Sequence, residues 1–334
     1  MKTLVVPICV WLAIFTGGAN GSRAASPQRF QFQQRHMGTV ARIVVYAADE
    51  DAARAVSSRA FARIAALDAA LTDYRDTSEL MQLSASAGGP PQRVSDDLFR
   101  VLAAAQAIAV ATDGAFDATV GPVSRLWRKA RAAGTPPGAQ ELAAATRLVN
   151  YRDIELSWEY RTVRLARAGM GLDLGGIGKG FAADEAMRVL RAHGARSSLV
   201  VIGGDVVAGD APPGKDGWQI AIAPLGPGAV AQPATRTLGN VAISTSGDAE
   251  QFLEHEGTRY SHVVDPRDGQ ALTGRRGVTV IARDGATADA LATALSVAGP
   301  GTGLRIVDRI PGAAALFADE HEGRLREQRS TAWR

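Results

Sequence analysis

The stretch DLGGIGKGFAAD, Asp173 to Asp184, sets four glycines and a lysine between two acids. It follows the alternating run YRDIELSWEYRTVRLAR (Tyr151 to Arg167), which reads as a hairpin, and opens a helical pattern that runs to about His193 and stops at Gly194. The apolar run SSLVVIGGDVVAG (Ser197 to Gly209) then reads as a buried strand. Strand, glycine turn, helix and strand make an α/β unit. Consecutive backbone N–H groups at the helix start, with Lys179 beside them, favour a phosphate.

Gly178, Gly180 and Ala183 satisfy G-x-G-x-x-A, the turn of a dinucleotide-binding fold. The acid that such a fold needs about 20 residues on would be Asp205, but Asp205 follows Gly203-Gly204 and reads as a loop-borne site residue. No G-x-x-x-x-G-K-[ST] is present, which argues against a nucleotide triphosphatase of that type. The plainer alternative is a tight strand-to-helix turn and nothing more.

The remaining chain alternates helical and extended patterns without an internal repeat or a low-complexity block, so one globular unit is expected. TVARIVVYAA (Thr39 to Ala48) predicts a strand, after which Asp49 caps a helix bearing Val56, Phe61, Ile64, Leu67 and Leu71. Ser95 caps a second helix, from Asp96 to about Thr112, which Asp113-Gly114 ends. Residues 211–239, rich in proline and glycine around WQIAIAP, predict a surface excursion.

The N-terminal MKTLVVPICVWLAIF, followed by small residues to Ala25, predicts a cleaved export signal over residues 1–25 and a soluble chain from residue 26 to 334, exported to the periplasm. The single cysteine, Cys9, falls inside that leader. The rest therefore has no disulfide, thiolate metal site or catalytic thiol, and its core must stand on packing alone. Without Lys2 and Arg23 the formal charge drops from +3 to +1, which points to neither a nucleic-acid nor a membrane partner.

ATADALATALSVAGP (Ala286 to Pro300) places Asp289 and Thr293 four residues apart on one helix face. A carboxylate beside a hydroxyl suits a hard cation such as Mg²⁺. The alternative is that the acid serves the helix dipole and the hydroxyl bonds its own backbone. Three further stretches carry acids, hydroxyls or a histidine in predicted loops: DGAFDATVGPVSRLW (Asp113 to Trp127), ISTSGD (Ile243 to Asp248) and SHVVDPRDG (Ser261 to Gly269).

Together with the glycine motif and ADALATAL, and in this order, these stretches resemble the ApbE family of periplasmic FAD:protein FMN transferases. The resemblance runs from HMGT (His36 to Thr39) to Gly299. It implies an ApbE-like α/β (α+β) fold related to T-fold domains, so the dinucleotide-fold match becomes coincidental. Met37, Tyr74, Ala115, Phe116, Asp117, Asp173, Lys179 and Val263 are the implied FAD contacts. The implied Mg²⁺ ligands are the Asp289 carboxylate, the Thr293 hydroxyl and the Gly176 carbonyl. The resemblance also implies the reaction: FAD is split, AMP departs, and FMN is attached by a phosphoester to a Ser or Thr of a flavin-acceptor protein. The acceptors would be flavin-bearing subunits of membrane redox complexes or related reductases, recognised around Asp-Gly-x-Ser/Thr-Ser/Thr.

An incoming hydroxyl must lose its proton. Of five histidines only His262 sits in one of these motifs, so it is the candidate base, with Asp248 as the alternative. Phe116 and Trp127 read equally as core residues. Rival readings are an Mg²⁺-dependent FAD pyrophosphatase that makes FMN and AMP with water as acceptor, a noncatalytic flavin-binding protein, and a nicotinamide oxidoreductase.

Overall fold

The structure is a computed structural model that describes residues 26–222, 234–247, 252–321 and 324–333. The predicted leader and the alternative base Asp248 lie outside the described residues.

Period-two patterning builds a central sheet. β1 (Gln28–His36) and β2 (Thr39–Ala47) form a hairpin whose two-residue turn puts Met37 at φ 51° and Gly38 at φ 72°. Both angles suit the right-handed twist of the strands. For Met37 the left-handed backbone costs about 1 kcal/mol. After β2 come helix α1 (Glu50–Leu71), capped by Asp49 on the Ala52 amide, helix α2 (Glu79–Ala85) and the short β3 (Gln92–Arg93). Helix α3 (Asp96–Ala111) starts at the Ser95 cap, and its end is turned by Asp113 (φ 47°) and Gly114 (φ 76°). Helices α4 (Gly121–Ala133) and α5 (Ala139–Thr146) lead into the hairpin of β4 (Ile154–Ser157) and β5 (Thr162–Leu165), to which β3 adds a third strand.

Helix α6 (Gly178–Ala192) follows the glycine motif. The predicted single strand beyond it is two strands, β6 (Ser198–Ile202) and β7 (Asp205–Ala208), because Gly203 at φ 60° reverses the chain. The hairpin β8 (Trp218–Ile222) and β9 (Ala234–Leu238) comes next, then β10 (Val241–Gly247). β11 (Phe252–His255), β12 (Thr258–Val264) and β13 (Ala271–Thr273) form a small sheet of their own. β14 (Arg276–Ala282), helix α7 (Gly285–Val307), β15 (Ala314–His321) and β16 (Arg324–Arg329) complete the chain.

The large sheet has the order β1-β2-β6-β7-β10-β14-β15-β16, and every pairing in it is antiparallel. A dinucleotide fold needs parallel strands around its glycine turn, so that reading fails on topology. Residues facing one side, among them Ile43, Val45, Val280 and Phe317, pack with Ile64, Ala183, Leu291 and Leu295 of α1, α6 and α7. The opposite face carries Val44 and Ile243, which Trp218 and Ile220 of β8 cover. Ile222 joins Leu316 and Trp333 on the same side. The predicted surface excursion is thus in part a second layer that shields the sheet from water.

α7 is apolar enough to cross a membrane by length and composition, with a mean hydropathy of 1.2 over its most apolar stretch. Here that apolarity is spent in the core: Leu291 and Leu295 are fully buried, at about 1.5–3 kcal/mol for each side chain. The helix is kinked at Gly299 (φ 72°), just before Pro300. A smaller core joins Val123 and Trp127 of α4 and Leu142 of α5 to Leu253, Val264 and Ala271 of the small sheet. Trp127 belongs to this core, 1% exposed, and its indole N–H donates to the Gly269 carbonyl at 2.8 Å.

Candidate active site

The site is built where α6 and α7 cross. A Cβ on Gly180 would come within 2.0 Å of the Gly285 carbonyl oxygen, and one on Gly285 within 2.4 Å of the Gly180 oxygen. Only a glycine pair allows this approach, which brings the first turn of α6 against the first turns of α7. The Gly180 amide then donates to Asp289 Oδ2 at 3.1 Å. Asp184, one turn further along α6, accepts from the Gly285 and Ala286 amides at 2.7 and 3.0 Å and so satisfies the start of α7.

The loop before α6 is set by Asp173, whose Oδ1 accepts from the Gly175 amide at 2.7 Å in an Asx turn. The Asp173 amide donates to the Ala118 carbonyl at 2.8 Å, which ties the DGAFDATVG stretch to the glycine loop. Gly176 then lies against α7: a Cβ there would be 2.9 Å from Thr293 Oγ1 and 3.3 Å from Phe116 Cε2. Met37 reaches the same place, since its Cε would be 3.6 Å from a Cβ on Gly178. Its left-handed backbone is held by the Met37 amide donating to Asp68 Oδ2 at 2.9 Å.

Lys179 carries the charge of the site. Its ammonium lies 3.3 and 3.5 Å from the two Asp289 oxygens, 3.1 Å from Asp205 Oδ2 and 3.2 Å from the Gly175 carbonyl. Asp289 is 4% exposed and Asp205 2%. Burial first, and then the Asp205 charge, push the Asp289 carboxyl up from its ordinary value, against the pull of Lys179. Burial works against the Lys179 ammonium, but the two carboxylates outweigh it and raise its pKa.

Tyr74 and Asp173 are joined through a residue that the sequence did not single out. The Arg128 guanidinium stacks 4.4 Å from the centroid of the exposed Tyr74 ring, donates to Asp73 Oδ2 at 2.6 Å and lies 3.7 Å from Asp173 Oδ2. The signal was faint because an arginine on an amphipathic helix reads as a solvated face. Asp205, which reads from the sequence as a loop-borne site residue, opens β7. Its position beside Lys179 follows from strand pairing, which spacing alone does not give.

The other candidates are placed as follows. Ala115 and Phe116 are buried in the main core, with Phe116 flooring the glycine loop. Asp117, 5% exposed, has its oxygens taken by the Thr119 amide and hydroxyl and the Tyr151 amide, so it shapes its own loop. His262 and Val263 lie on strand β12, and residues 243–247 on β10, rather than in the loops expected. Val263 is buried in the main core and His262 is half-buried. Asp265, just past β12, is engaged by the Arg267 guanidinium at 2.8 and 2.6 Å.

Among the described residues no cluster of three or more His, Cys, Asp or Glu side chains forms a metal cage. A cation at this site would depend on mixed oxygen donors: the Asp289 carboxylate, the Thr293 hydroxyl and backbone at Gly176. That set fits Mg²⁺, which takes one or two carboxylates and completes its shell from water and phosphate. The Lys179 ammonium already marks the place as one that attracts positive charge.

The ApbE family model matches residues 37–317. A FAD:protein FMN transferase of Treponema pallidum is 32% identical over 329 residues, covering 93% of this chain and 89% of that protein. The solved apo form of the Pseudomonas stutzeri flavinyl transferase ApbE is similar at a TM-score of 0.80 and 30% identity, over 92% of this chain and 96% of the other. The flavin transferase ApbE from Vibrio cholerae is similar at a TM-score of 0.81 and 25% identity, over 92% and 98%. The mixed α/β fold described above is thus that of solved flavin transferases. The chain belongs to the ApbE family.

Proposed function

We propose that this chain is an Mg²⁺-dependent FAD:protein FMN transferase. The observation that carries the reading is the junction of the glycine loop with α7, where Gly176 meets Thr293 and Gly180 and Lys179 meet Asp289. The positive end of α6 and the Lys179 ammonium are suited to the pyrophosphate of FAD. A bound Mg²⁺ would neutralise charge on that pyrophosphate as its anhydride bond breaks. Tyr74, backed by Arg128, offers an exposed aromatic face to a ring of the dinucleotide. Met37, Asp173 and Val263 complete the proposed FAD contacts, while Ala115, Phe116 and Asp117 shape the wall behind them.

In the proposed reaction a Ser or Thr oxygen of the acceptor forms a bond to the FMN phosphorus, the P–O bond to AMP breaks, and the hydroxyl proton passes to a base. We assign that base to His262, with Asp248 as the alternative. The acceptor segment is proposed to be of the Asp-Gly-x-Ser/Thr-Ser/Thr type. The apolar leader supports a site of action outside the cytoplasm, in the periplasm.

The test incubates the protein with FAD, Mg²⁺ and an acceptor peptide and follows covalent flavin fluorescence on the peptide. Flavin on the peptide, slowed roughly 10²–10⁴-fold by His262→Asn with FAD affinity retained, supports both reading and base. A rate within a few-fold of the parent moves the base role to Asp248. FAD converted to FMN and AMP with the peptide bare would make the chain a pyrophosphatase.

A further inference from the structure

Asp205 has no task in the reading above. It opens β7 directly after the reversal at Gly203, and its side chain is 3% exposed. Oδ2 lies 3.1 Å from Lys179 Nζ, and among the described residues this buried oxygen has no other polar partner. The same ammonium lies 3.3 Å from Asp289 Oδ2. One ammonium therefore faces two buried carboxylates on different elements. The cluster is one positive charge short, and an uncompensated buried charge is costly.

We propose that Asp205 is a positioning residue for the cation site: it holds Lys179 so that Asp289 can exchange the internal ammonium for a divalent cation. The inference rests on the metal reading above. Lys179 and an incoming dication compete for the same Asp289 oxygens. When the dication takes them, the ammonium needs another anion within reach of its flexible stem, and Asp205 is that anion, 3.1 Å away. Asp205 Oδ2, already the nearest carboxylate oxygen to the ammonium, then keeps it. Remove Asp205, and Lys179 is left with Asp289 as its carboxylate partner, where it excludes the metal. The two residues thus act on cation affinity with opposite signs.

Calorimetric titration of the whole protein with Mg²⁺, without FAD, reads this directly and does not depend on turnover. Asp205→Asn should weaken Mg²⁺ binding about 10- to 100-fold, the usual effect of losing a partner that orients a ligand group. Lys179→Gln should tighten it. In combination with Lys179→Gln, the Asp205→Asn exchange should cost less than about threefold, because its effect runs through the lysine. Equal losses from Asp205→Asn with and without Lys179→Gln would show Asp205 acting on the cation itself and overturn the inference. Weaker or unchanged binding in Lys179→Gln alone would overturn it too, and that arm decides the matter if Asp205→Asn fails to fold. A parent that does not bind Mg²⁺ at all overturns the metal reading, and this inference with it.

Discussion

Gly176 sits against Thr293 so closely that a single added methyl group would lie 2.9 Å from the threonine hydroxyl oxygen. Gly176→Ala should therefore push the loop off α7, destabilising the protein by about 1–3 kcal/mol and raising the Mg²⁺ concentration needed for FAD cleavage. Thermal melts and a Mg²⁺ titration of activity check both effects. Parental metal dependence in the variant would separate the loop from the cation site.

Asp289 is buried beside a second acid, so its removal should affect function and stability differently. Asp289→Asn should abolish FAD cleavage. In the absence of metal its melting temperature should stay equal to or rise above that of the parent, because a repulsive buried charge is gone. Thr293→Ala should lose less activity. Cleavage by Asp289→Asn at the parental rate and metal dependence would contradict the assignment.

Arg128 links Tyr74 to Asp73 and Asp173. Arg128→Ala should weaken FAD binding about tenfold, or ~1.4 kcal/mol, while leaving the rate at saturating FAD nearly unchanged. Flavin fluorescence titration measures the affinity. An unaltered dissociation constant would leave the arginine a purely structural role.

Glu185, its side chain 3% exposed on α6, is bonded by Arg63, Arg100 and Arg188. Burial opposes its ionisation, but the three guanidinium groups outweigh that and hold its carboxyl at about 2, below the ordinary 4.5. A depressed folded-state value stabilises the protein above about pH 4.5, and that stabilisation is lost as pH falls toward 2. At 1.36 kcal/mol per unit the contribution is about 3 kcal/mol. Urea unfolding of parent and Glu185→Gln should differ by roughly that amount at pH 7 and converge only as pH approaches 2. A difference that stays constant with pH would refute the linkage.

The parts of this fold legible in the sequence were those written in local chemistry. Asp49 and Ser95 cap the helices expected of them, Gly194 ends α6 at φ 82°, and the i, i+4 pair Asp289 and Thr293 lies on a helix at the glycine loop. The hairpin at Gly203 was missed because the apolar run on either side reads as one continuous buried strand. His262 was expected in a loop because the proline, the glycine and the two aspartates of DPRDG mask the strand pairing of the residues before them. The sequence puts Lys179 at the start of a helix after a glycine loop, which is where it lies. That it stands between Asp289 and Asp205 depends on β7 lying beside α6, a contact between residues far apart in the chain.

In the proposed reaction FMN goes to a protein hydroxyl and not to water. Intact-mass analysis of an acceptor protein incubated with enzyme, FAD and Mg²⁺, run together with quantification of AMP, tests it most directly. One FMN, less water, should be added to a Ser or Thr for each AMP released, and neither product should form with Asp289→Asn. AMP released in excess over flavin on the acceptor, with free FMN making up the difference, would contradict it.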